Sequence, residues 1–268
     1  MKLAVISLLA GAASIAAPPV FAAESAAIPQ QAPLFQGLSL SAGADYSSGD
    51  YGGTAKTNIF VAPISITDKV GDWRFSASIP YLRISGPGGV VIGPDGRPLP
   101  GVPGATGTRS GFGDLSLAAT ASLPSDMLGG FAVDLTGRVK LPTSRSSEHL
   151  GTGKTDFSMN ADISYPIGDW VPFVDIGYRI PGRPSGIDLK NSVTASIGTS
   201  YAMGHTVFIV SYDYGQASSP LAKDAQEVFG AVSAPIAGKV NATLYGIGGL
   251  SDGSPAYEAG LLFTLKLN

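Results

Sequence analysis

The sequence contains no cysteine, which excludes a disulfide scaffold and a thiolate metal site. That absence leaves export open, since many exported proteins carry no disulfides. Histidine occurs only twice, so an imidazole-based metal or catalytic cluster has little to draw on. Charged residues make up 14% of the chain and the net charge is −3. Nothing there points to nucleic acid, and so little charge is unusual for a surface wetted on every side. Past the first residues there is no run of about 18 apolar side chains, so no helix is expected to cross a membrane. If the chain spans one, it does so as a closed barrel, because every backbone amide in lipid needs an internal partner.

What is plentiful is glycine and proline, 36 and 20 among 268 residues, which favours many turns over long helices. Lys2 precedes an apolar run from Leu3 to Ala17. Pro18 and Pro19 end it, and Val20 and Ala22 are small residues at cleavage positions. Residues 1–22 therefore read as a signal peptide, 23–36 as a short N-terminal segment, and 37–268 as the folded unit.

The main signal has period two. Phe157, Met159, Ala161, Ile163 and Tyr165 alternate with Asp156, Ser158, Asn160, Asp162 and Ser164. A helix would scatter these residues around its circumference, whereas a strand separates them onto two faces. The same alternation predicts twelve strands, over 37–47, 57–67, 72–84, 112–123, 130–141, 155–165, 170–180, 187–201, 206–215, 226–235, 239–249 and 256–267. Around Ile59 to Ile66 both faces are partly apolar and Pro63 weakens the ladder. Connections alternate between short and long, as periplasmic turns and extracellular loops do in outer-membrane barrels. A ten-residue strand rises about 33 Å, and tilted by about 40° it covers roughly 25 Å of membrane height. Tyr46, Trp73, Tyr81, Tyr165, Trp170, Tyr178, Tyr201 and Tyr214 fall near strand ends, where interfacial girdles sit. The expected fold is thus all-β, a closed antiparallel transmembrane β-barrel. A soluble β-sandwich or lipocalin-like barrel shows the same alternation with its apolar face inward.

Several stretches resemble the phenol-degradation meta-pathway family of Gram-negative outer-membrane transporters. They are Gly111-Phe112-Gly113-Asp114-Leu115, Val139-Lys140-Leu141-Pro142-Thr143 and Leu150-Gly151-Thr152-Gly153-Lys154-Thr155-Asp156-Phe157, followed by Gly177-Tyr178-Arg179. The resemblance implies a barrel that moves small, often aromatic or hydrophobic, compounds across the outer membrane, and it carries over no catalytic residues. Many such barrels end in an aromatic residue, whereas this chain ends Leu267-Asn268.

Candidate chemistry is sparse. Gly151-Thr152-Gly153-Lys154-Thr155 looks like part of a phosphate loop, but the pattern needs glycine where Glu148 stands. A loop leading into a strand fits better. His149 lies beside Ser146, Ser147 and Glu148, and neighbours on one loop rarely reach triad geometry. His205 falls in a short turn. No catalytic, cofactor or metal site is expected.

The lumen carries more information. By alternation Asp45, Asp114, Asp134, Asp156, Asp162, Asp175, Asp188, Asp213, Glu227 and Glu258 point inward, with Arg74, Arg138, Lys140, Arg179, Lys190 and Lys266. Such charges can pair across strands or line a hydrated passage in which the acid excess mildly favours cations or neutral solutes. Twelve strands predict a narrow passage. The longest loop, Gly86 to Ser110, holds Val90-Val91-Ile92. It either covers or enters the mouth, or it is a surface loop without structure. The expected function is an outer-membrane channel for passive passage of small solutes, with membrane lipid and the solute as partners. A structural or surface-recognition barrel, and third a barrel enzyme, are the alternatives.

Overall fold

A computed structural model of the chain describes residues 37–53, 55–87, 90–99, 106–145 and 148–267. The expected signal peptide and the 23–36 segment lie outside the described residues. The elements run β1 Ser39–Gly49, β2 Thr57–Val70, β3 Trp73–Pro87, β4 Val91–Ile92, β5 Pro98–Leu99, β6 Thr106–Phe112, β7 Leu115–Leu123, β8 Ala132–Leu141, β9 Asp156–Ser164, β10 Trp170–Ile180, β11 Ser192–Met203, β12 Thr206–Gly215, β13 Ala225–Ala237, β14 Val240–Gly249 and β15 Tyr257–Lys266. A single 3-10 turn, Ser125–Leu128, joins β7 to β8. Neighbouring wall strands pair antiparallel, and β1 pairs with both β2 and β15, from Ser39↔Lys266 to Ser48↔Tyr257. The sheet is therefore a closed barrel. Because β6 and β7 both lie along β3, they fill one position, and the wall has the twelve positions expected.

The split between β6 and β7 has a local cause. Tyr81 faces Phe112 but Ser78 faces Ser116, so one extra residue is inserted on the β6–β7 side. Gly113 N–H donates to the Pro80 carbonyl at 2.8 Å. Pro80 has no N–H of its own to offer, and the ladder bulges there. Across the other edge Pro80 faces Pro63 of β2. The second strand forms in spite of Pro63 and is longer than expected.

The faces settle which way the barrel is turned. Along β10, Trp170, Val174, Ile176, Tyr178 and Ile180 are exposed, while Val171, Phe173, Asp175 and Gly177 between them are buried. Ile176 is 58% exposed and Asp175 is 0% exposed. A soluble barrel would have the reverse. Aromatics gather in pairs at the short-turn end, with Trp170 and Tyr201 centroids 4.7 Å apart and Phe131 and Tyr165 4.8 Å apart. Tyr46 and Tyr257 meet at the long-loop end, with centroids 6.3 Å apart. An apolar outer band between aromatic belts is the surface lipid selects. No helix of the described residues is long and apolar enough to cross a membrane.

Where the wall needs close packing inside, glycine supplies the room. Gly260 of β15 faces Tyr245 of β14, and a Cβ at Gly260 would sit 2.3 Å from the Tyr245 ring. The ring therefore lies across β15, and its hydroxyl reaches Asp45 on β1.

Candidate functional site: the lumen and the hairpin within it

The long segment after β3 is only partly a loop. β3 runs to Pro87 and β6 pairs back along it, Pro87 facing Thr106. This corrects the expectation of an unbroken loop from Gly86 to Ser110. Between these strands β4 and β5 form a small hairpin, Val91↔Leu99 and Ile92↔Pro98. Its turn is closed by Gly93 N–H to the Arg97 carbonyl at 2.8 Å and Gly96 N–H to the Gly93 carbonyl at 3.0 Å. Gly96 takes φ +80, which favours glycine.

The hairpin is folded into the barrel. Ile92 is buried in one cluster with Ile59 and Val61 of β2, Leu82 and Ile84 of β3, Tyr51 and Leu150. From the same hairpin the Arg97 guanidinium donates to Glu227 Oε1 of β13 at 3.0 Å. A Cβ at Gly215 of β12 would lie 2.7 Å from Arg97 Nη1. The β2–β3 wall and the β12–β13 wall lie on far sides of the ring. The hairpin thus bridges the lumen, and the Arg109 guanidinium, donating to the Val90 carbonyl, ties its base to β6.

The charged side chains that alternation assigns to the inner face differ in burial. Asp114, Asp134, Asp156, Asp162, Asp175, Asp213 and Glu227 are buried; Asp45, Arg74, Arg138, Lys140, Arg179, Glu258 and Lys266 are half-buried. Arg74 donates to Asp134 Oδ2 at 2.9 Å. Asp188 and Lys190 are corrections. β11 begins at Ser192, and both residues are exposed on the preceding connection. The residues before Ser192 keep the alternation but run past the end of the ladder. Arg97 and Asp95 are the lumen groups that alternation did not identify, because they arrive on a hairpin and not on the wall. The weakened alternation at Ile59 and Val61 was a signal for an apolar cover, which Ile92 supplies, but not for the charges that come with it.

The first three of the sequence stretches that carry the family resemblance meet at the long-loop end of β7, β8 and β9. Lys140 Nζ lies between Asp114 Oδ2, at 2.9 Å, and Asp156 Oδ2, at 2.8 Å. Thr143 Oγ1 accepts from Leu115 N–H at 2.8 Å, and Ser144 N–H donates to Asp114 Oδ1 at 3.0 Å. A Cβ at Gly151 would stand 2.5 Å from Asp114 Oδ2, so glycine lets that loop close over the carboxylate. Asp156 also accepts from Gly182 N–H at 2.8 Å. The glycine-rich stretch is followed by β9, not by a helix. His149 is exposed with φ +53, and His205 is exposed in the β11–β12 turn. Ser146 and Ser147 lie outside the described residues. Among the described residues no three His, Cys, Asp or Glu side chains converge to hold a metal ion.

The fold is similar to that of an outer-membrane channel from Pseudomonas putida F1, with a TM-score of 0.68 and 14% identity over 90% of this chain and 99% of that one. It is also similar to the translocator domain of the autotransporter NalP from Neisseria meningitidis, at 0.52 and 10% identity over 87% and 89%. At these identities the likeness concerns the fold, that of a closed outer-membrane barrel. No curated protein matches the sequence. The family described as "Putative MetA-pathway of phenol degradation" matches residues 37–235. With that match on a closed barrel whose outside is apolar and whose inside is charged, the chain belongs to this family and is an outer-membrane β-barrel protein.

Proposed function

We propose that the barrel provides a passive route for small solutes across the outer membrane, and that the β4–β5 hairpin sets its width. The observation that carries this reading is the polar, charge-lined inner face of a closed wall. A lumen of that composition suits water more than a packed core. Small aromatic or hydrophobic compounds are the class that the family's description suggests. Two apolar areas of the inner face support it. One is the Ile59, Val61, Leu82 and Ile84 cluster under Ile92, and the other joins Phe173, Ile209, Ala231 and Tyr245. Conductance of the refolded protein in a planar bilayer tests the route, with circular dichroism and heat-modifiable gel mobility as folding controls. Discrete steps are expected. A second reading, a non-transporting barrel, draws on the Arg97–Glu227 pair, which staples the hairpin across the lumen. A folded barrel that is silent and admits no small sugar in a liposome-swelling assay would favour it.

A further inference from the structure

We infer that the inner face of β9–β12 is a binding track for monovalent cations, with Asp162 and Asp175 as its selectivity-determining residues. This deepens the reading of the lumen as a passage and rests on it. Cross-strand register sets carboxylates side by side: Asp134 faces Asp162, and Asp162 faces Asp175. Ser196 follows on β11, opposite Asp175, and faces Asp213, which faces Glu227 of β13. Neighbouring positions in such a row are about 4.5–5.5 Å apart at Cβ. Arginines meet the row at its two ends, Arg74 on Asp134 at 2.9 Å and Arg97 on Glu227 at 3.0 Å. Between those ends lie Asp162, Asp175 and Asp213.

A second observation is independent of the carboxylates. Ser192 and Ser200 of β11 and Ser164 of β9 are at most 2% exposed, and their hydroxyls have no hydrogen-bond partner among the described residues. Asp162 Oδ2 is in the same condition in a side chain 2% exposed. Polar atoms buried this deeply are normally paired. Ser164, Ser200 and Asp162 share the middle and lower end of one sector of the lumen, and Ser192 marks its upper limit, opposite Arg179 of β10. A lining of carboxylate and hydroxyl oxygens suits hard cations. Since no three acidic groups converge, the track is not a cage for a divalent ion. It offers one or two anionic oxygens at each step, which fits weak binding at successive sites by an ion that must also leave. Asp175 is held in place by Asn160 Nδ2, which donates to its Oδ1 at 3.1 Å and so leaves the Asp162 carboxylate as the less committed group.

The test uses the folded full barrel, as wild type, D162N and D162N/D175N. In a KCl gradient the wild type is expected to pass potassium in preference to chloride. In recordings at pH 9 the permeability ratio should fall by roughly fivefold for each carboxylate removed, the factor one unit charge a few ångströms away contributes in water. Sodium-23 line broadening on the detergent-folded barrel gives a readout that needs no conduction. Excess broadening on wild type, competed by KCl and lost in D162N, is expected. A wild type without cation preference, or one whose ratio D162N leaves unchanged, would overturn the inference, as would wild-type broadening no greater than that of D162N. A barrel that is silent in the bilayer yet broadens sodium-23 through Asp162 would keep the cation track and remove the passage.

Discussion

Replacing Arg97 by alanine should release the β4–β5 hairpin from the lumen. The Arg97 side chain is 10% exposed and that of Glu227 1%, so the pair is shielded from water on both sides. Removing one partner of a buried pair costs about 3–5 kcal/mol, because the other charge is left buried and alone. The Ser254 hydroxyl beside the Glu227 carboxylate is neutral and offsets only part of that loss. At about 1.4 kcal/mol per tenfold, the docked hairpin loses roughly two to three and a half orders of magnitude against the undocked one. Burial of Ile92 and Leu99 opposes release by about 1.5–3 kcal/mol each, so the expected outcome is a hairpin that exchanges between both positions. Single-channel recordings of R97A should show larger unit steps and more fluctuation than wild type. R97A/E227A removes the stranded carboxylate as well and should fall short of the sum of its single variants. If R97A and R97A/E227A both fold and both match the wild type in step size and noise, the hairpin does not limit the passage.

Further predictions concern the wall and the loops. Ile176→Arg places a charge on the lipid face and should destabilise the barrel by about 2–4 kcal/mol. Denaturant unfolding in liposomes checks this, and an effect near zero would mean the faces are assigned the wrong way round. Gly260→Ala should cost about 1–3 kcal/mol by driving a Cβ into the Tyr245 ring, and Tyr245→Leu in the same chain should recover most of the loss of the unfolding midpoint. In the β12–β13 loop burial alone would raise the Asp224 carboxyl. The Ala217 N–H, at 2.8 Å, and the Tyr214 hydroxyl, at 2.7 Å, outweigh it and hold the group below its ordinary value. A depressed carboxylate stabilises the loop above its unfolded value and loses that contribution as pH falls through its folded one. The protection factor of the Ala217 amide, its exchange rate relative to an unstructured amide at the same pH, should therefore be high at neutral pH and fall only below the ordinary carboxylate range, and D224N should remove that dependence.

The wall was legible in the sequence because a barrel in lipid enforces strict alternation on most strands. Phe157 to Tyr165 shows it without a fault, and β9 forms there. Legibility failed where a second layer intervenes. Ile59 and Val61 point inward although apolar, since Ile92 of the hairpin covers them. The strand at Pro63 looked weak, yet its neighbours hold it in register, Ile64 facing Ile79 and Ala62 facing Tyr81. Asp188 and Lys190 kept the period but stand beyond the first ladder pair of β11, and a period carries no information about where pairing stops. Arg97 was beyond reach for another reason. A hairpin docked inside a barrel owes its position to contacts far apart in sequence, and no local pattern encodes them.

The Lys140 clasp has a mechanical consequence. One ammonium between Asp114 and Asp156 fastens the ends of β7, β8 and β9 together at the long-loop rim. The loop that carries Gly151 closes over the same Asp114 carboxylate. These strand ends therefore cannot splay one at a time, and a displacement of one connection is passed to its neighbours.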